Sequence, residues 1–394
     1  LGGSPFQVPA IQHARERGYY VITCDYLPDN PGHQFAHEYH NCSTTDFDGI
    51  LKVAQECRIN GIVAYASDPS APTAAYVAEK LGLPTNPLSA VDVLTNKDKF
   101  RRFLSNHGFR VPLARGFSTV ESLIEGCAAF QFPVMVKPVD SSGSKGVSKV
   151  TEPGLLAKAF AYAMPFSRAK RVIMEEYVEK NGYQVAGDGF LVGGKLVFRS
   201  FANEHFNVSC NPFVPIGESW PYNRPARVHD RIHEEIQRAL TLLGMQMGAL
   251  NFDIRVDADD NPILMEIGPR NGGNLIPQVT RYATGVDMVD YTIESALGHD
   301  CSALRMAETR GFWSCFMVHS KQTGTVGHVS IDPALAKNNI VEQSIPIKPG
   351  DKVQSFQGSN GTLGTMILKY SSMDEMLEKM DNMDKYVRVD VKDA

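Results

Sequence analysis

No run of this sequence stays apolar for the roughly 20 residues that a membrane-spanning helix needs, which excludes helical membrane anchoring. Cysteine is sparse and unpatterned. The seven residues Cys24, Cys42, Cys57, Cys127, Cys210, Cys301 and Cys315 include no CxxC pair, and an odd number fits free thiols better than a disulfide framework. A reducing cytoplasm is the expected location. Positive charge is not in excess either. A net charge of −5 leaves no basic surface for non-specific nucleic-acid binding. Internal repeats and low-complexity tracts are absent. The first glycine turn, Gly2-Gly3-Ser4-Pro5-Phe6-Gln7, lacks GxGxxG spacing, which counts against a nicotinamide-dependent oxidoreductase. The chain opens at Leu1, within what reads as a strand, and further residues are expected upstream.

What is present is enough length, 394 residues, for two or three domains with full cores. Residues 1–95 alternate strand and helix: helix from Pro9 to Arg17, strand Tyr19 to Asp25, helix Asp46 to Arg58, strand Gly61 to Tyr65, helix Ala71 to Leu81. This is the pattern of a small parallel sheet. Residues 96–309 open on the amphipathic basic helix Asn96 to Leu104, with a smaller subdomain expected over about 112–180. A helix from Asp230 to Leu243 precedes a hairpin, and a helix from Val286 to Ala296 closes the block. Residues 310–394 read as a small α+β subdomain with strands Phe312 to His319 and Thr365 to Lys369 and a last helix, Ser372 to Met383.

The chemistry concentrates in the hairpin. Leu250, Phe252, Ile254 and Val256 alternate on one face, and the turn-forming segment Asp257 to Pro262 leads into a second strand, Ile263 to Ile267. That register sets Asp253 opposite Glu266. Like charges facing each other in a sheet are destabilising, so a cation belongs between them, and oxygen ligands favour Mg²⁺. Next comes Gly268-Pro-Arg-Asn-Gly-Gly-Asn274, whose guanidinium, amides and glycines suit phosphate or carboxylate oxygens. Upstream, the buried strand Phe132 to Val139 carries Lys137, which needs an anion or a salt bridge. It runs into Asp140-Ser-Ser-Gly-Ser-Lys-Gly146, a loop able to wrap N–H groups around phosphate. Arg171 to Val178 is an apolar strand ending in Glu175, Glu176, Tyr177 and Val178, an edge suited to a purine ring.

In this order, these elements resemble an ATP-grasp enzyme over essentially the whole chain. The texture is nearest to carboxylate–amine ligases and to the biotin-carboxylase, carbamoyl-phosphate-synthase and purine-biosynthesis branches. The resemblance implies a Rossmann-like first domain, an ATP-grasp fold and a small C-terminal subdomain, with ATP and Mg²⁺ (or Mn²⁺) bound. Lys97, with Lys99 as the alternative register, and Lys137 match the two nucleotide lysines. Ser141, Ser142, Gly143, Ser144, Lys145 and Gly146 match the loop over the terminal phosphates. Glu175, Glu176, Tyr177 and Val178 match the adenine hinge, and Asp253 and Glu266 the metal carboxylates. Arg270 matches the arginine that, with Lys137, stabilises the transferring phosphate. Two positions depart: Gln184 stands where a ribose-binding Glu is usual, and Gly268 where Asn is usual, leaving Asn271 or Asn274 to supply the amide. The implied reaction is ADP-forming activation of a carboxylate as an acyl phosphate, then attack by an amine, with no Ser or Cys nucleophile. Small carboxylates and amines are the implied partners, and a homodimer is implied by analogy alone. His205, Asn271, Gly272, Gly273 and Asn274 are the candidates for the substrate side, with Phe201 to Val208 and Trp220 to Tyr222 as its walls. Activation of bicarbonate, and a regulatory protein that binds ATP without turnover, are the alternatives.

Overall fold

Alternating burial picks out the strand at the heart of the molecule. Leu250, Phe252, Ile254 and Val256 are almost fully buried, while Asn251, Asp253 and Arg255 stay partly open on the opposite face. This strand, Gly248–Val256, pairs antiparallel with Pro262–Gly268. Asp257 organises the turn: its Oδ1 accepts from the N–H groups of Asp259 and Asn261, each at 2.9 Å. The hairpin ends an eight-stranded antiparallel sheet. Its order continues through Gln184–Val192, Lys195–Phe206, Pro215–Trp220, Phe312–Val318, Gly364–Tyr370 and Ile340–Ser344. The structure is a computed structural model and describes residues 1–392.

One face of the hairpin is covered by the helix Ala226–Leu243, longer than the predicted one. Val228, Ile232, Ile236, Ala239 and Leu240 recur every three or four residues and pack against Leu250, Phe252, Ile254 and Val256. Each large aliphatic side chain buried there contributes roughly 1.5–3 kcal/mol. Gly244, at φ 72°, ends the helix in a left-handed cap. The other face of the sheet is left free to floor a cleft.

The cleft's second wall is a four-stranded antiparallel sheet in the order Ala114–Phe117, Val172–Glu176, Val134–Pro138, Ser148–Val150. Helices Val120–Gly126 and Leu156–Ala163 back it through a separate core that includes Phe117, Leu123, Val136, Leu156 and Met174.

The N-terminal region keeps its predicted helices as Val8–Glu16, Phe47–Glu56 and Ala71–Leu81. Its strands differ. Ile22–Asp25 pairs in parallel with Glu38–Asn41, whose residues carry no apolar alternation to announce a strand. The predicted strand from Gly61 to Tyr65 makes no ladder. Its carbonyls are used singly instead, Val63 O accepting from the Leu1 amine at 2.8 Å and Tyr65 O from the Gln7 amide at 2.9 Å. The C-terminal strands Phe312–Val318 and Gly364–Tyr370 extend the large sheet through pairing of Phe312–Val318 with Pro215–Trp220, so they are not a layer of their own. Helix Ile276–Thr284 lies in a stretch to which no element was assigned from the sequence. All seven cysteines are free thiols, and among the described residues no helix is long and apolar enough to cross a membrane.

Candidate active site

A cleft of about 580 Å³ lies between the two sheets and gathers most of the residues singled out above. On its floor Asp253 and Glu266 face each other across the ladder. The Asp253 carboxyl is pushed up to about 6, first by burial and then by Glu266. Its Oδ1 is buried and has no hydrogen-bond partner among the described residues. A buried acceptor without a partner is expensive. Two hard oxygen donors meeting at that atom make a fitting seat for Mg²⁺.

Three cations surround the pair. Lys97 sits in the first turn of helix Lys97–Asn106, where Asn96 caps the helix by accepting from Lys99 N at 3.1 Å. Its Nζ lies 3.1 Å from Glu266 Oε2 and donates to Ser141 O at 2.9 Å. Lys99 instead turns outward to Asp92. Lys137 projects from the small sheet and forms an ion pair with Glu175. Burial lowers the Lys137 pKa, and Glu175 opposes that shift. Glu175 is also bound by Arg101 Nε at 2.9 Å. Burial would push the Glu175 carboxyl up, but Arg101 and Lys137 together hold it at about 2. The Glu175 side chain, which lines the cleft at the hinge position, anchors two cations. Arg101 was marked by no motif; its place one turn beyond Lys97 on the same helix face is the signal that could have found it.

The loop over the cleft contributes Ser141, Ser142, Gly143, Ser144 and Lys145 to its lining, while Gly146 packs behind it. Left-handed φ values at Gly143 (65°), Ser144 (57°) and Gly146 (73°) turn it back on itself. Glu176, Tyr177 and Val178 line the cleft at the end of strand Val172–Glu176. Met135 and Met265, one from each sheet, line it too and leave an apolar slot. Gln184 bridges two groups, accepting from Arg255 Nε at 3.0 Å and donating to Glu204 Oε2 at 2.6 Å.

Arg270 faces the cleft with its guanidinium clamped by Asp68, at 2.8 Å to Nε and 2.5 Å to Nη2. The loop after it divides. Gly273 and Asn274 line the cleft. Asn271 is wholly buried and accepts from Thr292 Oγ1 at 3.0 Å, and the Gly272 N–H is held by Asp188 at 2.9 Å. Neither of these two lines the cleft. His205 does not reach it either, because strand alternation points it to the far face, where it meets Asp381 at 2.9 Å and Ser219 at 2.8 Å. Trp220 is core beside Ala202 and Ile276, and Tyr222 is core beside Val185 and Val228. From the expected wall Phe201 to Val208, Glu204, Phe206 and Val208 line the cleft; Glu218, on the neighbouring strand, lines it too and was marked by no motif.

The family model that describes an ATP-grasp domain matches residues 130–278, the span from the small sheet to the Arg270 loop. Formate-dependent phosphoribosylglycinamide formyltransferase of Rhodococcus jostii is 31% identical over 285 residues, covering 68% of each chain. The chain belongs to the ATP-grasp family. Its members are ATP-dependent, carboxylate-activating ligases, and the likeness extends further. The uncharacterized protein y4rH of Sinorhizobium fredii is 23% identical over 327 residues, which span 80% of this chain and 66% of that protein. The crystal structure of an L-amino acid ligase from Bacillus licheniformis superposes with a TM-score of 0.81 at 19% identity, covering 99% of this chain and 97% of that one.

Within this ATP-grasp chain, the Gly268 departure has a steric cause. A Cβ there would lie 2.9 Å from Asp68 Oδ1 and 3.1 Å from Arg270 Cζ, so glycine makes room for the ion pair. An amide is still nearby, because Asn251 stands directly opposite Gly268 in the ladder and lines the cleft.

Proposed function

We propose that this cleft binds Mg·ATP, transfers the γ-phosphoryl group to a small carboxylate, and couples the acyl phosphate to an amine. The carrying observation is the facing pair Asp253–Glu266, with a buried, partnerless Asp253 Oδ1, under a ring of lysines and a glycine-rich loop. Asp253 and Glu266 would hold Mg²⁺, which supplies charge neutralisation for the phosphate oxygens. Lys97 and Lys137 neutralise the same oxygens from the protein side, and Arg101 keeps Glu175 in place so that Lys137 retains its charge and direction. The slot between Met135 and Met265, with Tyr177 and Val178 at its edge, accepts the purine ring. Gln184 presents a neutral amide where a carboxylate is common, and Arg255 and Glu204 orient it.

In the first step a substrate carboxylate oxygen attacks the γ-phosphorus, the bond to the β–γ bridging oxygen breaks, and ADP leaves with that electron pair. Arg270, oriented by Asp68, pairs with the carboxylate and then with the acyl phosphate. Closure of Ser141 to Gly146 excludes water from the intermediate. Neutral Asn and Gln replacements test the seat. Calorimetry should show Mg·ADP binding to the wild type that is absent with NADPH. Asp253→Asn and Glu266→Gln should lose the magnesium dependence of ADP binding and at least about a hundredfold of any ADP-forming turnover, about 2.7 kcal/mol or more of barrier. Wild-type magnesium dependence in both variants would remove these carboxylates from the metal seat.

A further inference from the structure

The floor of the cleft carries a second pair of facing carboxylates. Glu204 on strand Lys195–Phe206 stands directly opposite Glu218 on strand Pro215–Trp220. Both line the cleft and both are buried, at 8% and 2% exposure. Facing like charges destabilise a sheet, and buried charges need compensation. Yet among the described residues neither carboxylate has an ion-pair partner. Glu204 receives only the Gln184 amide, at 2.6 Å. Glu218 receives the Asn274 amide at 3.2 Å and the Cys315 thiol at 2.8 Å. The strand bearing Glu204 is two strands along from that bearing Asp253, so the second pair begins roughly 10 Å from the metal pair. That spacing leaves room for a phosphate and an acyl carbon between them.

We propose that Glu204 and Glu218 seat the acceptor amine of the reaction, and that Glu218 takes the proton the ammonium must lose before it attacks. The proposal rests on the ligase reading above. An ammonium offers three N–H donors and one positive charge to two carboxylates that lack both. Burial pushes the Glu218 carboxyl up to about 7, which suits a group that must accept a proton near neutral pH. Burial, then Asp253 and Glu218, raise that of Glu204 as well. Lys180 is the cation whose field reaches Glu204, while Asp188 is the acid whose field reaches Glu218. The step balances. The ammonium gives one proton to Glu218 and becomes a neutral amine, whose lone pair forms a C–N bond to the acyl phosphate carbon. The C–O bond to phosphate breaks, and phosphate leaves with that electron pair and takes the second N–H proton. The products are an amide and hydrogen phosphate, and Glu218 returns its proton to solvent.

The test is calorimetry on the full chain saturated with Mg·ADP, using n-butylamine as the cationic probe and n-butanol as its neutral counterpart. The amine should bind, more tightly at pH 8 than at pH 6, and the alcohol should not. Glu218→Gln should weaken amine binding at least about tenfold, 1.4 kcal/mol, with Mg·ADP affinity unchanged. Glu204→Gln, in which Gln184 also loses its carboxylate acceptor, should weaken amine binding by a similar factor in protein kept saturated with Mg·ADP. In Glu218→Gln the pH dependence should flatten. Equal or absent responses to amine and alcohol in a protein that binds Mg·ADP would overturn the proposal and leave the ligase reading standing. So would unchanged amine binding in both variants, or an additional Mn²⁺ site in the wild type that Glu204→Gln abolishes. Failure of the wild type to bind Mg·ADP would sink the ligase reading itself.

Discussion

Glu175 and Glu218 are both buried carboxylates beside the same cleft, and their surroundings drive them in opposite directions. Glu175 has Arg101 and Lys137 against it and is held at about 2 despite burial. Its folded pKa lies below the ordinary 4.5, so it contributes stability above that value, and the contribution is lost as pH falls through about 2. Glu175→Gln strands two buried cations and should destabilise the chain by about 3–5 kcal/mol in urea unfolding at pH 7. Glu218 has no cation, and burial lifts it to about 7 from 4.5. Between those values the folded form keeps a proton that the unfolded chain has released, so stability falls as pH rises through that window. Glu218→Gln should therefore raise the stability measured by urea unfolding at pH 8 by on the order of 3 kcal/mol, and leave it little changed at pH 5. A carboxylate kept at that expense to the unliganded fold is what a binding role requires.

The loop Ser141 to Gly146 shows how an element carries function through backbone geometry. Gly143 combines φ 65° with a neighbour that would lie 2.4 Å from any Cβ, the Ser359 Oγ on the C-terminal segment. Ser144 Oγ donates to Phe213 O at 2.5 Å, which ties the loop to the segment before strand Pro215–Trp220. The loop thus closes against residues from two distant parts of the chain. Gly143→Ala should slow ADP-forming turnover while ADP affinity stays close to wild type, because the slot between Met135 and Met265 proposed for the purine lies elsewhere. Steady-state kinetics beside calorimetry would separate the two. An equal loss in both would place Gly143 in binding rather than in closure.

At the scale of the whole molecule, the Asp68–Arg270 pair joins residues 202 positions apart and connects the N-terminal region to the Arg270 loop. Burial would raise the Asp68 carboxyl, but Arg270 brings it below its ordinary value. Asp68→Asn leaves a buried guanidinium without its counter-charge and should cost about 3–5 kcal/mol of stability, together with turnover. A double-mutant cycle with Arg270→Met measures the coupling, and additive effects would mean the two residues act separately. The N-terminal region also holds the rest of the chain through His13 and Arg17 on Asp290 and through Ala10 and Tyr65 packed with Val289 and Ile293, but Asp68 is the contact that reaches Arg270, and the absence of a side chain at Gly268 makes room for it.

Local rules carried much of the prediction. Period-two burial in Leu250, Phe252, Ile254 and Val256 set the hairpin's register and thereby the Asp253–Glu266 pairing. The order of lysines, loop and acids disclosed the family, and helices with caps such as Asn96 and Asp46 fell where their sequences placed them. These features depend on neighbours a few residues away, so one sequence contains them. Glu204 fell within the expected wall Phe201 to Val208, but its pairing with Glu218, the part of Asp68 and the cation-anchoring role of Glu175 were not legible, since each gains its meaning from residues more than ten to hundreds of positions distant. His205 shows the same limit from the other side: its residue type invited a role, and the pleat of strand Lys195–Phe206 turned it away from the cleft. The sequence by itself determined the order of lysines, glycine-rich loop and facing acids that carries the family likeness. Only the tertiary structure decided which carboxylates received a cation and which were left facing the cleft without one, because burial and charge pairing are properties of the packed sheets.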